Sequence, residues 1–79
     1  MIGMRFKHSE TGGIYEVIEV SVFMSDNPVD DGQLSVAYRL VDATGALKGP
    51  KFSRLASNFF EIVTRPKQKF PRFAPHLVR

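Results

Sequence analysis

Apolar and polar positions alternate along this chain over short stretches separated by turn-forming residues, a period of two that predicts strands rather than helices. The longest apolar run, Ile14 to Met24, follows the Gly12-Gly13 breaker, and its Ile14, Val17, Ile18, Val20 and Val22 are β-branched, which suits a pleated surface better than a helical turn. Within it Ile14, Ile18, Val20, Val22 and Met24 form one mostly apolar row, interrupted at Glu16, while Tyr15, Val17, Glu19, Ser21 and Phe23 form a mixed one. The pattern predicts one long strand with the first row inward. Ahead of it, Met4 to His8 alternates as well and predicts a short strand with Phe6 as an inward anchor and Arg5 and Lys7 toward water. Leu34 to Val41 alternates cleanly, with Leu34, Val36, Tyr38 and Leu40 on one face and Ser35, Ala37, Arg39 and Val41 on the other.

The connections carry their own signals. Ser25 to Gln33 holds a proline, a glycine and three aspartates with almost no apolar content, and reads as an exposed loop. Asp42-Ala43-Thr44-Gly45 fits a type I turn closed by a glycine at positive φ. A third strand is expected at Ala46 to Lys48, broken at Gly49-Pro50, with extended structure resuming over Lys51 to Ser53. Arg54 to Asn58 has room for one helical turn, and Phe59 to Thr64 reads as the last core strand, ended by Arg65-Pro66. Beyond it, Pro66, Pro71 and Pro75 argue against any regular element. The sum is an all-β domain over 1–64, a small five-stranded antiparallel barrel that is SH3-like or, alternatively, OB-like, with a short helical turn and an extended C-terminal arm or tail over 65–79. Closure would also spare the Ile14 to Met24 strand an open edge.

Composition fits a single small domain. Seventy-nine residues, 43% of them hydrophobic, with seven phenylalanines and two tyrosines, can build one core. The absence of cysteine removes disulfides and thiolate zinc sites from consideration. No uncharged run approaches the roughly 20 residues that span a bilayer, and the start lacks the apolar core of a signal peptide, so a cytoplasmic protein without membrane association is expected. Charge is divided unevenly. Residues 1–61 hold six Lys/Arg and all eight Asp/Glu, whereas 62–79 hold five Lys/Arg and no acid. The chain is a faintly acidic body with a basic tail.

Catalytic chemistry finds little footing. His8 and His76 are the only histidines, no nucleophile elbow surrounds any serine, and His8 reads as an exposed or capping side chain. Asp26, Asp30, Asp31 and Gly32 lack the spacing of a calcium loop. Gly12-Gly13 lacks the further glycines and the helix of a phosphate-binding loop. Glu16 and Glu19, three apart in one strand, are expected on opposite faces and so do not form a carboxylate pair. No enzyme activity, cofactor, metal or small-molecule substrate is expected.

Several blocks resemble a small bacterial and phage family known as domain of unknown function 1653. They are Arg5-Phe6-Lys7-His8 before the glycine loop, Tyr15-Glu16-Val17-Ile18, Val36 through Asp42, Phe52-Ser53-Arg54-Leu55 with Phe59-Phe60-Glu61, and Pro71-Arg72-Phe73. Phe52-Ser53 stands where that family has Trp-Val, and Leu55 where it has proline. The resemblance implies a compact β-rich domain without a known activity, with Arg54 corresponding to the arginine of the Trp-Val-Arg-Pro block.

The tail carries the one functional signal. Arg65, Lys67, Lys69 and Arg72 interleave with Phe70 and Phe73, pairing cations with flat apolar rings. With Arg54, these residues form the candidate partner-binding set, for a protein partner first and for nucleic acid as the alternative. The competing reading is that Phe70 and Phe73 close one end of the barrel and the cations keep the arm solvated. Oligomeric state is not legible.

Overall fold

The structure, a computed structural model, describes residues 1–22, 24 and 32–76. Phe23, most of the expected acidic loop (25–31, with the aspartates of the discarded calcium loop) and the tail end (77–79) lie outside the described residues. Among the described residues, seven strands and one helical turn follow in order: β1 (Arg5–His8), β2 (Ile14–Val22), β3 (Leu34–Val41), β4 (Leu47–Leu55), α1 (Ala56–Phe59), β5 (Ile62–Arg65), β6 (Gln68–Pro71) and β7 (Phe73–Pro75). They form a five-stranded antiparallel sheet in the order β4-β3-β2-β1-β7, and a separate β5-β6 pair. The fold is mostly β, as the alternation predicts.

β1 and β2 pair with Phe6 opposite Tyr15, and Phe6 is buried as the expected anchor. Arg5, on the other face, is not simply solvated. Its Nε donates to Glu16 Oε1 across the strand pair at 3.1 Å, and its Nη2 donates to the Gly45 carbonyl at 2.9 Å. The expected inward row of β2 is corrected. Val17 is fully buried and Tyr15 packs against the core, while Glu16 lies on the Arg5 face. The register then slips between Val17 and Glu19: Val17 stands opposite Tyr38, Glu19 opposite Ala37 and Val20 opposite Val36. Ile18 is the extra residue, and the slip returns Val20 to the core side. It also places Glu16 and Glu19 on the same face, contrary to the expectation for an unbroken strand. Each has its own cation, Arg5 and Lys51 respectively, so they do not act as a pair.

The turn after β3 forms as the sequence predicts. Gly45, at φ +87°, donates its N–H to the Asp42 carbonyl at 3.0 Å, a backbone region open to glycine at little cost. Asp42 Oδ1 accepts from the Thr44 hydroxyl and from the Thr44 and Ala46 amides, and these bonds hold its carboxyl below the ordinary 3.8, the Thr44 hydroxyl contributing most. The expected break at Gly49-Pro50 is not a chain end. β4 runs through it, because two more residues lie on β4 than on β3 between the Tyr38–Phe52 and Leu40–Lys48 pairs. Gly49, at φ +78°, supplies the bend, and Arg39 Nε donates to its carbonyl at 3.0 Å. Proline is tolerated here since β4 lies at the end of the sheet and needs no outward N–H.

The C-terminal third departs furthest from expectation. The helical turn sits at Ala56–Phe59 instead of starting at Arg54, so Phe59 belongs to it and not to a strand; it is fully buried. The next strand begins only at Ile62. Two regular strands follow where none was expected. β6 folds back on β5 around Pro66, and β7 adds to the main sheet beside β1, with Phe73 opposite His8 and Pro75 opposite Phe6. The prolines escape their usual penalty because both strands are short and lie at sheet edges. β5 runs across the division expected after Thr64, and the fifth strand of the sheet comes from the tail. The core joins Phe6, Val17, Val36, Tyr38, Phe59 and Phe73, with Phe59 and Phe73 stacked at 4.2 Å between ring centroids.

Candidate functional site

The inward face of the sheet is unusually aromatic, and α1 covers only part of it. Phe59 of α1 packs against Phe6, Tyr38 and Phe73. On the same face, Tyr15 meets Tyr38, Phe73 and Phe52, with ring centroids 5.4, 5.8 and 6.4 Å apart. Tyr38 meets Phe52 in turn at 5.8 Å. Phe52, at 44% exposure, is the open end of this series. Between these rings lies a cleft of about 180 Å³, walled by Tyr15, Tyr38, Phe52 and Phe73, with His8, Thr11 and Arg54 at its margin.

Each polar group at the margin is positioned by its strand. Arg54 lies opposite Val36 and two residues from Phe52, so the pleat returns it to the same face. Its Nε donates to the Tyr38 hydroxyl at 2.9 Å, its Nη1 donates to Asn58 Oδ1 of α1 at 2.6 Å, and its guanidinium sits 5.9 Å from the centre of the Phe73 ring. Three contacts fix a side chain that is otherwise rich in rotamers. His8 Nδ1 accepts from the Thr11 amide at 3.3 Å and lies 3.2 Å from the Thr11 hydroxyl. His8 thus caps the turn after β1, one of the two roles its sequence suggests. Among the described residues, no carboxylate lines the cleft. Its charge is that of Arg54, and its hydroxyls, guanidinium and imidazole offer donors around an apolar floor.

The sequence-derived set is divided by the fold. Arg54 stands at the cleft. Phe73 is part of its floor but is buried, at 3% exposure, and presents little of its ring. Phe70 is half-buried and lines a second, wider opening of about 590 Å³ with Ser9, Glu10, Arg65 and Gln68. That opening carries its own acid, and Arg65 there is paired with Glu10. Arg72 pairs with Glu61 at 3.1 Å, and its backbone is bonded at both groups, accepting from Ser9 and donating to Glu61. Lys67 and Lys69, on the β5-β6 hairpin, have no ion pair among the described residues. The basic tail is therefore not one continuous cationic surface. Tyr15, Tyr38, Phe52 and His8 are site residues that tail-centred reasoning passes over. The available signal was the aromatic residue in each of the alternating blocks, but aligning them needs the strand offsets.

Among the described residues there is no group of three or more His, Asp or Glu side chains that could hold a metal ion, and no helix long and apolar enough to cross a membrane. Comparison with protein-family models, with curated proteins and with solved structures finds no match for this chain.

Proposed function

We propose that this chain is a non-enzymatic, cytoplasmic binding module of SH3-like barrel type that docks a protein partner on its aromatic cleft. The observation that carries the reading is the cleft's makeup among the described residues: aromatic walls, one fixed guanidinium, further donors and no acid. Aromatic rings and arginine are the residues that dominate binding energy at protein interfaces. The volume, about 180 Å³, is below the roughly 300–1,000 Å³ typical of small-molecule pockets and suits one side chain of a larger partner. The strand order β4-β3-β2-β1-β7, with a helical turn after β4 and the last strand returning beside β1, supports the SH3-like architecture over the OB-like one. Nucleic acid is the second reading, supported by Lys67 and Lys69, which have no ion pair among the described residues.

The test compares the full chain with Phe52→Ala and with the double variant Lys67→Ala, Lys69→Ala in affinity capture, followed by titration of the purified captured protein. The reading requires that Phe52→Ala loses the partner and the lysine variant keeps it. Retention by Phe52→Ala with loss in the lysine variant transfers the site to the hairpin and overturns it.

A further inference from the structure

We infer that the partner is taken as an added strand: an extended, acidic segment of another protein pairs with the outer edge of β4 over Lys51–Leu55 and sets one carboxylate side chain into the cleft against Arg54. The inference rests on the docking reading above and specifies its geometry and its charge.

β4 is the end strand of the five-stranded sheet, and among the described residues its outer side makes no backbone hydrogen bond. Such an edge is the template for strand addition, in which main-chain bonds supply affinity and side-chain pockets supply specificity. The bulge at Gly49 and the missing N–H of Pro50 confine a regular ladder to Lys51–Leu55, a stretch of about 17 Å at the usual rise. The alternative edge, β7, has three residues and ends in Pro75, too short to hold a partner.

Charge selects the occupant. Lys48, Lys51 and Arg54 lie on β4 with no acid among them. The Lys51–Glu19 pair is long, at 3.6 Å, and both side chains are about half exposed, so it yields readily to another carboxylate. A second copy of this strand would set like charges face to face, which disfavours self-pairing. An acidic segment complements it. In an added strand, an inward residue beside Arg54 has its Cβ about 4.5–5.5 Å away, within reach of the guanidinium for an Asp or Glu carboxylate. Nε and Nη1 of Arg54 are already engaged with Tyr38 and Asn58, which holds the remaining Nη2 donors in place for that oxygen. The partner's inward residue two positions away meets the exposed ring of Phe52, so an apolar residue, one spacer and an acid form the recognised pattern.

The probe is a synthetic peptide of repeated valine-threonine-glutamate-threonine with blocked ends, whose one face carries valine and glutamate in turn, titrated into the full nitrogen-15-labelled chain. The expected result is amide shifts from Lys51 to Leu55 together with ring shifts of Phe52 and Tyr38. Binding should be about tenfold weaker in Arg54→Ala and unchanged in the Lys67→Ala, Lys69→Ala variant. It should be lost when alternate peptide nitrogens of the probe are methylated, a change that leaves the protein untouched and so separates strand pairing from any misfolding of Arg54→Ala. Ring shifts without β4 amide shifts, insensitive to methylation, overturn strand addition and leave the cleft standing. Absence of shifts in both overturns the two readings together. Displacement of the peptide by a short oligothymidylate at the same residues assigns the surface to single-stranded nucleic acid and overturns the protein partner.

Discussion

Phe73→Ala separates a packed C-terminal segment from a solvated tail, because one ring connects β7 to every other part of the core. Phe73 is 3% exposed, stacks on Phe59 at 4.2 Å and meets Tyr38, Tyr15 and His8 at 5.4, 5.8 and 5.0 Å. Truncating a phenylalanine in such a site typically costs about 3–5 kcal/mol, from lost transfer energy and from the cavity that remains. A chain of 79 residues, at about 0.05–0.15 kcal/mol per residue, has a total stability of about 4–12 kcal/mol. The variant should therefore lose about a quarter or more of its stability, or fail to fold. Urea denaturation followed by circular dichroism measures this, with the tyrosines as fluorescence probe since the chain has no tryptophan. Phe70→Ala, half-buried at the hairpin, should lose less. A loss below about 1 kcal/mol for Phe73→Ala, with an unchanged denaturant slope, would refute the packing described here and return residues 65–76 to a mobile arm.

Other consequences can be measured independently. Asp42 titrates below its ordinary value in the folded chain, so its ionised form adds stability above about pH 4 that is lost as pH falls through the lower folded value. The melting-temperature gap between the natural chain and Asp42→Asn should thus narrow from about pH 7 to about pH 3, and a constant gap would contradict the turn's hydrogen bonds. Deleting Gly49 and Pro50 removes the two extra residues of β4 and should leave a folded domain that stays monodisperse in light scattering, because Lys48, Lys51 and Arg54 still oppose self-pairing; concentration-dependent association would show that the bulge, and not the charge, guards the edge. If the hairpin binds duplex DNA, Arg65 and Arg72 are held by Glu10 and Glu61, so two free lysines give a log–log salt slope no steeper than about −1.8. A slope near −3.6 would mean that both ion pairs open on binding.

What was legible in the sequence is what local rules determine. Alternation at Leu34 to Val41, the Asp42 to Gly45 turn and the Phe6 anchor all rest on contacts or dihedrals within a few residues, and all three form. The tail was misjudged because proline forbids a regular element only where the ladder needs its N–H, and whether it does depends on which edge the strand occupies. Pro71 and Pro75 end strands at positions that only the assembled sheet defines. The site was split for a related reason. Arg54 could be singled out by its block, but the rings beside it come from β2, β3 and β7 as well as from its own β4, and their meeting depends on register.

Register turns on the two bulges, and their parity explains why one moved side chains to new faces and the other did not. With Tyr15 and Val17 inward, an unbroken β2 would carry Glu19 into the core, where an unpaired carboxylate costs several kcal/mol. One extra residue at Ile18 turns Glu19 out toward Lys51 and brings Val20 in at the cost of a local ladder defect. The sequence does hold the sign of this: each pleat row of Ile14 to Met24 is interrupted by a single glutamate, Glu16 in one and Glu19 in the other, and neither row can face the core over its whole length. A single inserted residue between those positions reconciles both. The insertion at Gly49-Pro50 has two residues, so it lengthens β4 without changing the face of anything beyond it, and Phe52 and Arg54 stay on the inward side with Tyr38. An odd insertion there would have turned Arg54 outward and left the cleft without its cation.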